Sequence, residues 1–409
     1  MKVLKRMLKQ EKGAITMTVL AAMLFITTVL VISYFSIFNL GSNQNRKIQQ
    51  ISKQYSVTDG ELEERYNQIL NNLDLNNISI TQAKKINSII SKLKQNTTVF
   101  DEDGNSFVIP AGFKLSSDSA DKVTEGIVIE DATYNDTIGS EFVWIPVGIP
   151  WKTDSSKTIT LARYEFKISD DETSGTILQT KTDGSALRPY LFLDDVIEEG
   201  PRETGTKNAV SKDINDFILK TNKAKGFWIG RYEARTTKAR YSTNDPLTVV
   251  TEKPEMRVYN YITQTDASAK ARTMYEENDY FQSDLMNSYA WDTATLFLQE
   301  YDNRTYNINT NSNYKAKYSN QIRLSTGLKN TGTNNLSAEA NKDKICNVYD
   351  MADNCLEWTT ETYDYENYPC VKRGGNSTNS GEYTSRRSGN GPDNANRNDS
   401  FRPLLYVKN

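Results

Sequence analysis

Hydrophobic and polar positions divide the 409-residue chain into three regimes. In the first, Ala14–Phe38 is an almost wholly apolar run, and no charge falls between Gly13 and Asn45. As a helix it is long enough to cross a hydrocarbon core of about 30 Å. Lys2, Lys5, Arg6, Lys9 and Lys12 precede it against Glu11 alone, a bias that holds the N-terminus inside and sends the rest of the chain out. A secretory signal peptide has a shorter apolar stretch and a small-residue cleavage site. The pattern predicts a basic cytoplasmic end at 1–12 and a transmembrane signal anchor at 13–39. The protein is then single-pass in the cell membrane, held through residues 14–38, with its C-terminal part extracellular.

The second regime, 40–98, is polar and rich in Asn, Gln, Lys and Ile. Asp59–Leu75 places Leu62, Tyr66, Ile69, Leu70 and Leu73 at helical spacing, and Thr81–Gln95 does the same with Ile86, Ile89, Ile90 and Leu93. Thr81 stands where it can cap the second helix. Such narrow stripes suit helices that pack on each other or on a neighbouring chain. The expectation is a helical stalk or spacer, with homo-oligomerisation through it as an option. No heptad is sustained far enough to demand a coiled coil.

From Val99 onward the spacing changes to period two punctuated by turns. Residues 97–110 read as a hairpin turning at Asp103 and Gly104. Gly126–Glu130, Glu141–Pro146 and Phe227–Glu233 read as strands. A polar insert rich in Thr, Asp and Lys spans about 152–226, with one helix at Asp213–Lys223, and reads as surface elaboration. Ala267–Asn278 and Met286–Glu300 read as helices, and 303–341 as irregular loop. Helices beside a small sheet place the domain, 99–409, in the α+β class.

Composition narrows the chemistry. Net charge is −3 and the 49 Lys and Arg are balanced by 52 Asp and Glu, so nothing argues for nucleic acid. There are no histidines. That removes every His-ligated metal site, every His general base and every Ser-His-Asp or Cys-His nucleophile. The three cysteines, Cys346, Cys355 and Cys370, lack CxxC spacing, which disfavours zinc. Outside the cell they predict one disulfide and a spare thiol; the plainer reading is small buried side chains with at most one staple.

Three blocks near the C-terminus carry a family resemblance: NVYDMADNCLEW (347–358), KRGGN (372–376) and NRNDSFR (396–402). Together with FVWIPVG (142–148) and FWIGRYE (227–233), they resemble the formylglycine-generating-enzyme, or sulfatase-modifying-factor, family, a variant of the C-type-lectin fold. The resemblance implies a scaffold role for Trp358, Arg373, Gly374, Gly375, Arg387, Phe401 and Arg402, the arginines pairing with buried carboxylates. It also implies a calcium held by the side chains of Asp350 and Glu357 and the carbonyls of Asp353 and Cys355, oxygen ligands that suit that ion. Asp353 stands where the family has glycine. The family's copper-binding cysteines fall on Asn379 and Thr384, which offer no thiolate, so no copper chemistry follows. Its iron-dependent branch needs histidine, so no iron either. The expectation is a non-catalytic member.

Between the rigid blocks, 376–398 is a Gly-, Asn-, Ser- and Arg-rich run. Loops on a stable frame are where binding residues gather, and Asn, Tyr, Ser and Gly make adaptable contact surfaces. The candidate ligand-binding residues are Asn376, Thr378, Asn379, Glu382, Tyr383, Asn390, Asp393, Asn394, Asn396 and Asn398. This run is also similar to the Asn-rich C-terminal patch in lectin-fold variable proteins of diversity-generating retroelements, where adenine-containing codons are rewritten. The sequence therefore predicts a bacterial surface protein that binds an extracellular protein or glycan for adhesion or recognition. EKGAITMT (11–18) resembles the start of type IV prepilins, with Thr18 in place of the family's glutamate. The alternative is accordingly a minor pilin-like subunit of a surface filament.

Overall fold

The computed structural model describes residues 74–168, 175–181, 209, 211–301, 321–322, 329–330, 344–376 and 384–408, apart from 135, 237, 239–240, 249, 254–256, 277, 352–353 and 363–366. The expected anchor and most of the expected stalk lie outside these residues. No described helix is long and apolar enough to cross a membrane.

The centre of the molecule is a six-stranded antiparallel sheet. Across it the strands run Phe281–Leu285, Pro403–Val407, Gly226–Gly230, Glu141–Pro146, Val128–Asp131 and Phe113–Leu115. Every residue of Glu141–Pro146 and of Gly226–Gly230 is buried, because both faces of the sheet are covered. Alternation along the strand sorts its side chains between two cores. Val143, Ile145, Phe227, Ile229 and Leu404 face the helix Ser288–Tyr301, through Ala290, Trp291, Ala294 and Phe297. Phe142, Trp144, Trp228 and Leu405 face the opposite way. The α+β class is as expected.

The opposite core overturns one domain boundary. Ile78, Ile80, Ala83, Ile86, Ile89, Ile90 and Leu93 pack with Phe107, Phe113, Trp144 and Trp228. The helices are Ile80–Lys85 and Asn87–Ile90, and Ser79, not Thr81, caps the first by a reciprocal bond with Gln82. The narrow apolar stripe was expected to face a stalk partner. It faces the domain instead, so the domain reaches back to residue 78 or before. The 97–110 hairpin forms as expected, pairing Thr97–Phe100 with Ser106–Ile109, and Ile78–Ser79 adds a parallel third strand.

Other expectations shift by a residue or a few. The later helices are Ile214–Ala224, Gln264–Thr273 and Ser288–Tyr301, starting behind Asp213, Thr263 and Asn287, whose side-chain oxygens accept the orphan amides of the first turn. The insert is more than surface elaboration, because Arg163 and Tyr164 begin a hairpin strand there and are fully buried. Within 303–341 the pairs Gln321–Ile322 and Lys329–Asn330 form a short ladder. The expected disulfide is absent. Cys370 lies in a strand, Cys355 directs its thiol at the Arg397 carbonyl and Cys346 at the Thr124 carbonyl, so the three sulfurs face different neighbours.

The boundary is testable. Ile90→Ala deletes a side chain 1% exposed in the shared core, and we expect it to lower the unfolding free energy of the whole domain by about 2–5 kcal/mol. Urea titration followed by tryptophan fluorescence reports this through Trp144 and Trp228. A midpoint equal to wild type would mean that residues 78–93 fold separately.

Candidate recognition site

A second, four-stranded sheet carries the site. Its order is Arg387–Asn390, Cys370–Arg373, Leu356–Trp358 and Asp399–Phe401. The first three pair antiparallel and the last pair is parallel. This register sets Arg373 directly opposite Arg387, an arrangement of like charges that costs energy unless something separates them.

Two buried carboxylates do so. Glu361 accepts from Arg373 Nη1 at 2.9 Å and from Arg387 Nε at 2.6 Å. Asp292, from the helix Ser288–Tyr301, accepts from Arg373 Nη2 at 2.5 Å and from Arg387 Nη2. Each arginine thus holds both acids and each acid both arginines, with all four side chains fully buried. Arg163 brings a third guanidinium to 3.6 Å from Glu361. Burial pushes the Glu361 carboxyl up, but the guanidiniums of Arg387, Arg373 and Arg163 outweigh it and hold the group below the usual range. Arg373 and Arg387 stand at the two ends of segment 374–386, so the cage closes the base of that loop. Gly374 is required beside it: its φ is +72°, and a Cβ there would lie 2.6 Å from the Met351 carbonyl.

A second buried cluster has the opposite balance. Arg402 donates to both oxygens of Glu357, at 3.0 and 2.6 Å, and to the carbonyls of Gly230 and Tyr349, each at 2.8 Å. Glu233 accepts from the Cys355 amide at 2.7 Å and from the Asn354 side chain. Glu252 is fully buried near Arg235. Burial raises the carboxyls of Glu233, Glu252 and Glu357, most for the first two; the charges of Asp350 and Glu357 add to the rise at Glu233. Burial likewise lowers Arg235 to about 10, against the pull of Glu252.

Only part of the calcium set carried over by resemblance lies among the described residues. Both oxygens of Glu357 are committed to Arg402, and Asp353 is outside the described residues. Asp350 is buried at a φ of 60° next to Glu233. Among the described residues no group of three or more acids and cysteines is arranged to hold a metal.

The residues read as scaffold lie in the interior. Trp358 is fully buried and its indole donates to the Ile262 carbonyl at 2.9 Å. Phe401 meets Tyr259 edge-on at 5.7 Å. Thr384 is buried, and its carbonyl accepts from the Trp291 indole at 2.8 Å. Asn379 lies outside the described residues, as do Thr378, Glu382 and Tyr383.

The remaining binding candidates separate by exposure. Asn376 is 2% exposed and belongs to the interior, so it cannot meet a ligand from solvent. Asn390 is half-buried and folds back onto the Ser388 carbonyl at 3.1 Å. Asn396 accepts from the Asn398 amide at 2.7 Å, making the turn it sits in, with Asn398 half-buried beside it. Asp393, Asn394 and Asn396 are exposed, as is Arg397, which the Asn-centred sequence reading passed over. The turn is docked by its backbone: Tyr261 N–H donates to the Asn396 carbonyl at 3.0 Å and the Asn260 amide to the Arg397 carbonyl at 3.2 Å. Lys372 reaches Asp399 at 2.9 Å while stacking over Trp358 at 4.4 Å. No sequence signal pointed to Asn260 or Tyr261, since they are remote in the chain.

No protein-family model matches the chain, and no curated protein does. Among solved structures it is similar to the crystal structure of CarF, at 13% identity over 45% of this chain and 87% of that one, with a TM-score of 0.28. That likeness carries no argument about fold or activity.

Two measurements probe the clusters. Asp292→Asn leaves the three guanidiniums facing Glu361 alone and is expected to cost about 3–5 kcal/mol in urea unfolding; a loss under 1 kcal/mol would show that the cage is dispensable. Glu252 is protonated more readily when folded than when unfolded, so its stabilising contribution is full at low pH and lost as pH rises above the ordinary carboxylate range. Glu252→Gln should therefore flatten the decline in melting temperature between about pH 5 and pH 8. Parallel melting curves for variant and wild type would contradict that.

Proposed function

We propose that the chain is a membrane-anchored surface protein whose C-terminal domain, of C-type-lectin type, presents the 376–398 segment as a non-catalytic binding face. The ligand is an extracellular protein or glycan, held by non-covalent contacts. The observation that carries the reading is the contrast within that segment. Its ends are held by the Arg373–Arg387 cage and the Lys372–Asp399 pair, while the side chains of Asp393, Asn394 and Arg397 are exposed to solvent. A rigid frame under an exposed polar turn lowers the ordering cost of binding. Adhesion and recognition are the roles this serves at a cell surface.

The test pairs binding with stability. The wild-type chain, displayed on cells, is screened against a glycan array and against intact neighbouring cells. Asp393→Ala, Asn394→Ala and Arg397→Ala together should weaken the captured interaction at least about tenfold, with the melting temperature unchanged because the three side chains are exposed. Undiminished capture by the triple variant would refute the assignment of the face. Loss of the domain to protease added outside intact cells checks the orientation; full protection would overturn it.

A further inference from the structure

The four-stranded sheet does not use the other end of the C-terminal strand. Arg402 sits beside one end of Pro403–Val407 in the buried clusters, and Val407, at the other, lines a groove of about 570 Å³. The groove opens between the Thr97–Phe100 and Ser106–Ile109 hairpin and the C-terminal turn of the helix Ile214–Ala224. Its volume is in the range of small-molecule sites, about 300–1,000 Å³.

Its lining is one-sided in charge. Lys220, Lys223 and Lys225 contribute to the wall, and no Asp or Glu does. Among the described residues none of the three forms an ion pair. A lysine in a last helical turn complements the helix dipole, which accounts for Lys223. It does not account for Lys220, a turn earlier, which lines the same groove as Lys223 and the C-cap residue Lys225. Like charges gathered in a concave wall focus the potential on whatever enters. The rest of the wall includes the half-buried rings of Phe100 and Tyr280 and the exposed amide of Gln95.

Aromatic faces accept the C–H face of a sugar ring, an amide pairs with its hydroxyls, and ammonium groups pair with a carboxylate or sulfate. We propose that this groove binds an acidic saccharide, at a site separate from the 376–398 face. Lys220, Lys223 and Lys225 carry the charge recognition, and Phe100 and Tyr280 supply the ring contacts.

The full chain, in a non-ionic detergent, is titrated calorimetrically with a hexasaccharide of alternating glucuronic acid and N-acetylglucosamine. A neutral N-acetylglucosamine hexamer and inorganic phosphate alone are the comparison probes. The acidic hexasaccharide is expected to bind at least about tenfold tighter than either. Raising salt from about 50 to about 500 mM should weaken it, because the charges are solvent-exposed and screened. Lys220→Glu with Lys223→Glu should abolish the binding while the far-UV circular dichroism remains that of the folded domain, whereas the Asp393, Asn394 and Arg397 triple variant should retain it. The last comparison separates this site from the proposed recognition face. Equal binding of the neutral hexamer or of phosphate, an affinity untouched by the charge reversals, or no heat with any probe would each overturn the proposal.

Discussion

The four-stranded sheet depends on one electrostatic constraint: Arg373 and Arg387 are held opposite each other across adjacent strands. Antiparallel pairing makes them neighbours, and two buried guanidiniums cannot remain so without counter-charge. Asp292 and Glu361 supply it from outside the pair, one from a helix and one from the loop after Leu356–Trp358. Buried ion pairs add little net stability over an apolar packing, yet removing one member is costly. The cage is thus better understood as a device of specificity. It admits one register of the two strands and one seating of the helix Ser288–Tyr301 against them.

The neighbouring cluster follows from the same economy of charge. Three guanidiniums surround two carboxylates at the cage, whereas Arg235 and Arg402 face Glu233, Glu252, Glu357 and Asp350 in the second cluster. Burial, with neighbouring acids adding to it, pushes Glu233 and Glu252 upward, while the guanidiniums around Glu361 outweigh burial and pull it down. Glu357 stands in register with Arg373 yet bonds to Arg402, so Leu356–Trp358 is the strand on which the two clusters meet. That strand supplies an acid at Glu357 and a core-filling indole at Trp358.

How much of this was legible in the sequence depends on the range of each interaction. The period-two pattern placed Glu141–Pro146 correctly because a strand's own residues carry that signal. Arg373, Arg387 and Arg402 were readable as arginines that meet buried carboxylates, but not which ones. Asp292 sits in a segment that looks like an ordinary apolar helix, and Arg163 in one that looks like a polar insert; only the tertiary fold brings them together. The stripe at Ile78–Leu93 was visible, but its partner surface on Trp144 and Trp228 was not. For the candidate face, Asn content drew attention to Asn376, which is interior, and away from Arg397, which is exposed. Composition locates a polar loop; exposure decides which of its side chains meet solvent.

Exposure also divides labour within the loop. Asn390 and Asn396 spend their side chains on the loop's own turns, at Ser388 and Asn398, as Asn does wherever its side chain can substitute for a backbone partner. Changing either would alter the shape of the face. Asp393 and Arg397 have side chains that no described contact ties down, and Asn394 has only a 3.5 Å approach to Asn390. Substitution at these three changes the chemistry offered while the turn keeps its form. Because the cage and the Lys372–Asp399 pair fix the ends of the loop, the entropy of closing it is met by the frame and grows only slowly with loop length. A segment held in this way tolerates sequence change without loss of the fold beneath it.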